Sequence, residues 1–262
     1  MRRGWRVLAG GAAFLVLLAV LLAFALSAPA RLLPYLLDAQ PLDARPLQLS
    51  GVSGTVQNGR ASRARLQTPG GYLHLGELSW LLAPRSLLGF APLLKLHSVW
   101  GDQRGSLELR LRKDALALSS VDVNVDAGLL KQVLPVALKG RLGMLFNELL
   151  LSPTGVLRAD GRLVWQGAAW ESPKGLRILG NYAATFTTPN DQQINVQIVT
   201  LSGPVVAAGT VSLNQQRYSV DLLIESSVQE LDPELAQALS LIASPAENGY
   251  RLRLDGEVSP GL

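Results

Sequence analysis

Cysteine is absent from this 262-residue chain, which excludes a disulfide framework, thiolate zinc sites, iron–sulfur clusters and cysteine nucleophiles. Histidine occurs twice, as His74 and His97, with no spacing that pairs them as metal ligands. Charged residues make up 17%, against roughly 25% in an average soluble domain. Because hydrophobic residues reach 48%, the shortage of charge does not mean disorder, which needs few apolar residues and high net charge. Aromatics are only 6%, too few for the two interfacial girdles of an outer-membrane barrel. The ending Ser259-Pro260-Gly261-Leu262 also lacks the alternation of a closing barrel strand.

What is present begins with charge and a long apolar run. The net charge of +4 and pI of 9.6 suggest an anionic partner, but three of those charges are Arg2, Arg3 and Arg6. The 24 residues of segment 7–30 follow without a charge and include Phe14, Leu15, Val16, Leu17, Leu18, Val20, Leu21 and Leu22. At 1.5 Å per residue this run reaches about 36 Å, enough for a hydrocarbon core of roughly 30 Å. The expectation is a cytoplasmic tail at 1–6, a transmembrane anchor at 7–30 and an exported remainder, oriented by Arg2, Arg3 and Arg6 through the positive-inside rule. The alternative is a cleaved signal peptide, cut after Ala25 of Ala23-Phe24-Ala25, although the apolar run exceeds an ordinary h-region. Residues 31–262 carry a net charge near +1, with basic side chains scattered as at Arg60, Arg63, Arg65, Arg110 and Arg112. Such scatter forms no phosphate-tracking groove, so nucleic acid is not an expected partner.

Pro34, Pro41 and Pro46 interrupt segment 31–46, which reads as a linker with a short helical turn at Leu32–Asp38. Beyond it, in 47–262, period-two alternation dominates. Leu107, Leu109 and Leu111 alternate with Glu108, Arg110 and Arg112, and Val121, Val123 and Val125 with Asp122, Asn124 and Asp126. Ile194, Val196 and Ile198, then Tyr218, Val220, Leu222 and Ile224, and finally Leu252 and Leu254, form further rows. One apolar and one wet face are the mark of antiparallel strands. Turns are expected at Asn58-Gly59, Pro69-Gly70-Gly71, Trp100-Gly101-Asp102, Asp160-Gly161, Pro189-Asn190-Asp191 and Asn248-Gly249. Short helices are expected at Ser79–Leu88, broken by Pro84, at Asp126–Leu134 and after Asp232-Pro233-Glu234. The predicted fold is mainly β: a mostly antiparallel, curved sheet with two or three short helices behind the anchor.

Catalytic chemistry finds little support. His74 and His97 lie in strand-like apolar settings, and Asp122 with Asp126 reads as a solvated strand face better than as a metal pair. Gly51-Val52-Ser53-Gly54 is too short for a GxSxG elbow and marks a bulge or turn instead. Ser86 reads as a helix cap. No P-loop or dinucleotide fingerprint occurs, so no enzyme activity and no cofactor are expected. Trp80, Trp100, Trp165 and Trp170 carry more information: they either fill the core at strand ends or line an apolar groove for a partner or lipid.

The order of blocks is itself informative. A basic tail and one anchor precede Gly51-Val52-Ser53-Gly54-Thr55-Val56-Gln57-Asn58-Gly59-Arg60-Ala61, then Leu78-Ser79-Trp80-Leu81-Leu82-Ala83-Pro84-Arg85-Ser86-Leu87-Leu88. Gly161-Arg162-Leu163-Val164-Trp165-Gln166-Gly167-Ala168 and Leu179-Gly180 follow. Over nearly its whole length the chain resembles the type II secretion system protein N family of Gram-negative bacteria, with Gln57 standing near a position where that family often has tryptophan. The resemblance implies a single-pass inner-membrane protein with a periplasmic domain, assisting export of folded proteins. It implies contacts with other secretion subunits, namely the connector protein C of the system and the outer-membrane secretin, and brings no catalytic residues. A second resemblance, to the first repeat of AsmA-like envelope proteins, implies a β groove for lipid.

Overall fold

The computed structural model describes residues 27–33, 47–68, 71–87, 89–132, 136–153, 155–172, 174–190, 193–214, 217–227 and 231–257. Most of the expected anchor and linker lies outside them, including the apolar residues Phe14 to Leu22 and the three arginines. Among the described residues no helix is long and apolar enough to cross a membrane.

Alternating segments become fourteen strands: β1 (Leu47–Gly54), β2 (Asn58–Thr68), β3 (Gly71–Ala83), β4 (Leu93–Trp100), β5 (Gln103–Arg112), β6 (Ala115–Asp126), β7 (Leu138–Ser152), β8 (Gly155–Ser172), β9 (Gly175–Asn190), β10 (Gln193–Ser202), β11 (Val205–Asn214), β12 (Arg217–Ser226), β13 (Ser244–Ala246) and β14 (Gly249–Glu257). Among the described residues they form one sheet in chain order, except that β14 pairs with β12 and β13 takes the outer edge. Every pairing is antiparallel. The expected antiparallel meander is therefore present, and its two ends do not pair with each other.

Register keeps the two chemical faces apart. On one, Trp80 pairs with Leu96 and Leu96 with Leu107. The row resumes at Val123 opposite Met144, then continues through Leu163, Ala184, Ile198, Gly209, Leu222 and Leu252, each opposite the next. The other face carries Arg162, Thr185, Gln197, Thr210, Asp221 and Arg253, matched in the same way. A slip of one residue anywhere would exchange the faces, so apolar burial enforces the register.

Two expected turns fall elsewhere. Thr55 N–H donates to the Asn58 carbonyl at 2.8 Å, so the turn precedes Asn58-Gly59 and Gly59 is already in β2. Asp160-Gly161 lies inside β8, with Gly161 paired to Phe146 on one side and Phe186 on the other. The Trp100-Gly101-Asp102 turn is where expected, Trp100 pairing with Gln103 and Gly101 at φ 58°.

Helices are few. The expected helix at Ser79–Leu88 is strand as far as Ala83, because Trp80 and Leu82 pair with Leu96 and Leu94. Pro84 opens the four-residue helix α1 (Pro84–Leu87) instead of breaking a longer one, since its missing N–H costs nothing at a helix start. Ser86 is no N-cap: it lies within α1, where its hydroxyl donates to the Ala83 carbonyl and accepts from Leu93 N–H. Ala127–Gln132 is a 3₁₀ turn, with Asp126 accepting from Gly128 N–H at 2.6 Å. Helix α2 (Pro233–Ser240) begins as expected, Asp232 accepting from the N–H groups of Glu234 and Leu235.

A buried cluster lies where segment 27–33 meets the sheet. Ala30, in a 3₁₀ turn at Ala30–Leu32, packs with Ala61 and Trp80. Ala28 accepts from Val56 N–H at 3.0 Å, and Pro29 bridges to Thr55. The segment entering the sheet is thereby stapled to the first hairpin.

Candidate functional site

A single sheet has two faces, and this one spends its apolar face on two adjoining grooves. The larger, of ≈ 570 Å³, is walled by β3 to β8 and by the Ala127–Gln132 turn. Leu75, Leu96, Leu107, Val123, Met144 and Leu163 form much of it, with Leu129 and Leu130 leaning in from the turn. A flat sheet would spread those six strands over about 24 Å, so side chains from β3 and β8 wall one groove only because the sheet curls. The smaller, of ≈ 350 Å³, runs from β8 to β12 under α2, which contributes Leu235 and Leu239. Leu163 and Trp165 belong to both.

The four tryptophans beyond residue 30 divide. Trp80 is buried against Ala30 and Ala61, its indole N–H donating to the Val56 carbonyl at 3.1 Å. Trp100 is 42% exposed at the rim of the larger groove, its ring 5.3 Å from that of His74. Trp165 stands between the grooves, its indole N–H held by the Lys139 carbonyl at 3.0 Å. Trp170 is half-buried, opposite Leu138 and Arg177. Trp80 thus lies in the core, while Trp100 and Trp165 border the grooves.

Tyr182 carries no signal in the sequence, since Gly180-Asn181-Tyr182 shows no periodic row. Its ring packs 6.0 Å from that of Trp165, and its hydroxyl donates to the Val205 carbonyl at 2.9 Å. Burial pushes its phenol up to about 12, because the smaller groove offers nothing to solvate a phenolate.

Charge holds α2 in place. Arg177 contacts Asp232 at 3.3 Å and Glu234 at 3.0 Å, and Ser172 donates to the same Glu234 oxygen at 2.6 Å. Lys174, largely exposed, reaches Glu234 at 3.5 Å. The Glu234 side chain is only 15% exposed, so its bonds from Ser172 and Arg177 are partly shielded, whereas the pair with Lys174 is a screened surface pair. The Ser172 hydroxyl, followed by Arg177 and Lys174, holds the Glu234 carboxyl below its ordinary value of 4.5, with partial burial opposing them. A carboxylate depressed in the folded state contributes stability above its unfolded pKa and loses it as pH falls through the folded one. Helix α2 is therefore expected to loosen as pH drops below 4.5, seen as faster amide exchange at 233–240 while β8–β9 amides stay protected. Equal protection of α2 at neutral and acid pH would show that other contacts hold it.

The polar candidates do not converge. His74 is on β3 and His97 on β4, both exposed. Asp122 lies on the polar face opposite Ser106, while Asp126 is occupied in capping. Among the described residues no group of three or more His, Asp or Glu could hold a metal ion. Gly51 and Gly54 adopt φ values of 64° and 86° in β1, which only glycine takes easily.

The geometry defines a class: an open antiparallel sheet with an apolar face, one latched helix, and an arrangement suited to binding. A family model described as type II secretion system (T2SS), protein N, matches residues 45–253, from β1 into β14, and the chain belongs to that family. It is 27% identical over 227 residues to the type II secretion system protein N of Aeromonas hydrophila, covering 83% of this chain and 87% of that one. It is 28% identical over 230 residues to the Vibrio cholerae protein of the same name, covering 81% and 85%. No solved structure gives a significant match. Family membership makes the chain a component of the type II secretion apparatus.

Proposed function

We propose that this protein is a non-catalytic component of the type II secretion system, held in the inner membrane by residues 7–30 with its sheet in the periplasm. It assists export of folded proteins through contacts with other subunits. The observation that carries the reading is the family match over 45–253, which takes in nearly the whole sheet. The connector protein C of the system and the outer-membrane secretin are the partners proposed. The charge-free segment 7–30 after Arg2, Arg3 and Arg6 supports the anchor and its orientation.

Strand β1 supports a mode of contact. Its sequence Leu-Gln-Leu-Ser-Gly-Val-Ser-Gly has no charge and no proline, two of the devices that protect an exposed edge. Among the described residues β1 pairs only with β2. The opposite edge is blunted by the three-residue β13, which contains Pro245. An incoming strand therefore adds at β1, where main-chain bonds supply affinity.

The test is in-cell photocrosslinking from Gln48 and Ser50 of the full chain, with the trapped proteins identified, alongside deletion of the gene. Secretion subunits in the adducts and loss of export of folded substrates are expected. Adducts without secretion subunits, combined with normal export after deletion, would remove the proposal. Protease added to spheroplasts should digest residues beyond Ala30, and protection there would overturn the topology.

A further inference from the structure

Among the described residues one aromatic ring stands almost wholly in the open: Phe90, between α1 and β4, is 95% exposed. Its φ of 51° is one that a bulky side chain rarely takes, and such strain persists only where the surroundings impose it. Here hydrogen bonds impose it. Phe90 N–H donates to the Leu87 carbonyl at 3.1 Å and Ala91 N–H to the Ser86 carbonyl at 3.3 Å. The Ser86 hydroxyl ties Ala83 to Leu93, and Leu111 N–H donates to the Pro92 carbonyl at 3.0 Å. The ring is held away from the sheet.

Its place in the fold says what it meets. Antiparallel alternation gathers the β1–β2, β3–β4 and β5–β6 connections at one end of the sheet. The chain enters at that same end: Ala28 accepts from Val56 N–H, Pro29 bridges to Thr55, and Ala30 lies further in, against Ala61 and Trp80. Residues 7–26 attach here, so the medium that holds them faces this end. Leu82 N–H donates to the Gln57 carbonyl at 2.7 Å, so β3 passes beside the entry. Helix α1 starts two residues later, roughly 7 Å past that contact, and Phe90 follows α1.

Charge and apolarity at this end agree. Arg85 of α1, with Arg112 and Lys113 at the β5–β6 turn, are exposed and form no ion pair among the described residues. Asp114 is the acidic residue beside them. Leu111 and Leu116, paired across that turn, are also exposed. An aromatic tip and leucines among free cations suit the phospholipid interface, where rings sit at head-group depth and cations meet phosphates. We propose that Phe90 seats in the periplasm-facing surface of the bilayer that holds residues 7–30, with Arg85, Arg112 and Lys113 at phospholipid phosphates. The sheet thereby gains a second foothold beside the chain entry, which fixes its tilt on the membrane. This placement rests on the reading of 7–30 as the anchor and is independent of which secretion proteins are bound.

The absence of cysteine makes single-site labelling clean. Full-length Phe90→Cys and Leu241→Cys chains carry a nitroxide in nanodiscs of phosphatidylethanolamine and phosphatidylglycerol. Leu241, 83% exposed, follows α2, which Ser172 holds at the opposite end of the sheet, and so controls for the label's own affinity for lipid. Collisions with oxygen, which concentrates in the bilayer, are compared with those of a water-soluble nickel chelate. The oxygen-to-nickel ratio at position 90 is expected to be several-fold above that at 241. Both sites are exposed, and an unaltered melting curve checks that the fold is kept. Arg112→Gln combined with Lys113→Gln should lower the ratio at 90 about twofold and leave that at 241 unchanged. Equal ratios at the two positions, in protein retained by the nanodisc, would overturn the foothold and leave the anchor standing. Vesicles of the same lipids washed with alkaline carbonate report the anchor separately: a chain stripped off would remove the anchor and the foothold with it. Shielding of position 90 from both reagents would show a second copy as the occupant and overturn the proposal. An unchanged ratio in the double variant would overturn the role of the cations.

Discussion

Trp80→Ala is expected to cost about 3–5 kcal/mol and to free residues 27–33 from the sheet. Trp80 is 7% exposed and forms a buried cluster with Ala30 and Ala61. Both buried neighbours are alanine, and the larger side chains packed against them, Leu49, Val52, Leu94 and Leu96, are held by their own strands, so the space the indole leaves closes only in part. The substitution also leaves the Val56 carbonyl without its indole partner. Two measurements separate the parts. Equilibrium denaturation reports the stability loss, and Trp80→Phe, which keeps most of the volume but not the N–H, should lose much less. Limited proteolysis reports the entry segment: cleavage near Leu32–Leu33 should rise in Trp80→Ala. If segment 7–30 is the anchor, this cluster transmits force and orientation from the membrane to the first hairpin, so the variant should also reduce export. An unchanged denaturation midpoint would mean that the staple lies elsewhere.

Gly161→Val should be comparably damaging, by overfilling instead of emptying. Gly161 lies between Phe146 of β7 and Phe186 of β9, and the two rings approach to 5.2 Å across it. They meet because no side chain stands between them. A Cβ at this position would be 2.4 Å from the Leu145 carbonyl oxygen and 2.5 Å from the Phe146 ring. Backbone of the central pairing must then shift, and overpacking of this kind costs roughly 1–3 kcal/mol or more. Because β7, β8 and β9 are the longest strands, the damage lies at the middle of the sheet. Thermal unfolding with amide exchange at β7–β9 is the readout. Gly161→Ala should show a smaller effect of the same sign, whereas equal stability in both variants would mean that the aromatic pair tolerates separation.

Gly161 also illustrates where sequence reading fails. Asp-Gly is a hairpin signal when nothing else is known, because both residues tolerate positive φ. Here the glycine is used for the room its missing Cβ leaves to two phenylalanines distant in sequence. Gly59 behaves alike: it follows the turn, and a Cβ there would lie 2.4 Å from the Trp80 ring. Local chemistry cannot tell a glycine needed for conformation from one needed for space. The helix expected at Ser79–Leu88 does not form for a related reason, since pairing of β3 with β4 outweighs a weak local propensity. By contrast, the α2 start at Asp232-Pro233 was legible, because caps act within three residues, whereas the helix expected at Asp126–Leu134 is, among the described residues, a 3₁₀ turn over Ala127–Gln132.

Alternation by itself determined that this protein is a β protein with one apolar and one polar face, and that its strands follow one another in antiparallel order. It did so because side-chain period and strand period are the same physical quantity. The missing cysteines likewise closed disulfide and thiolate chemistry to it. Only the tertiary structure decided how the apolar face is arranged. The curl that brings β3 and β8 to one groove, the placement of Trp80 in the core and Trp165 between two grooves, and the latch of Ser172, Arg177 and Glu234 on α2 all join residues far apart in the chain. Such contacts depend on how far a sheet bends and where a returning segment docks, and no local pattern of the sequence encodes either.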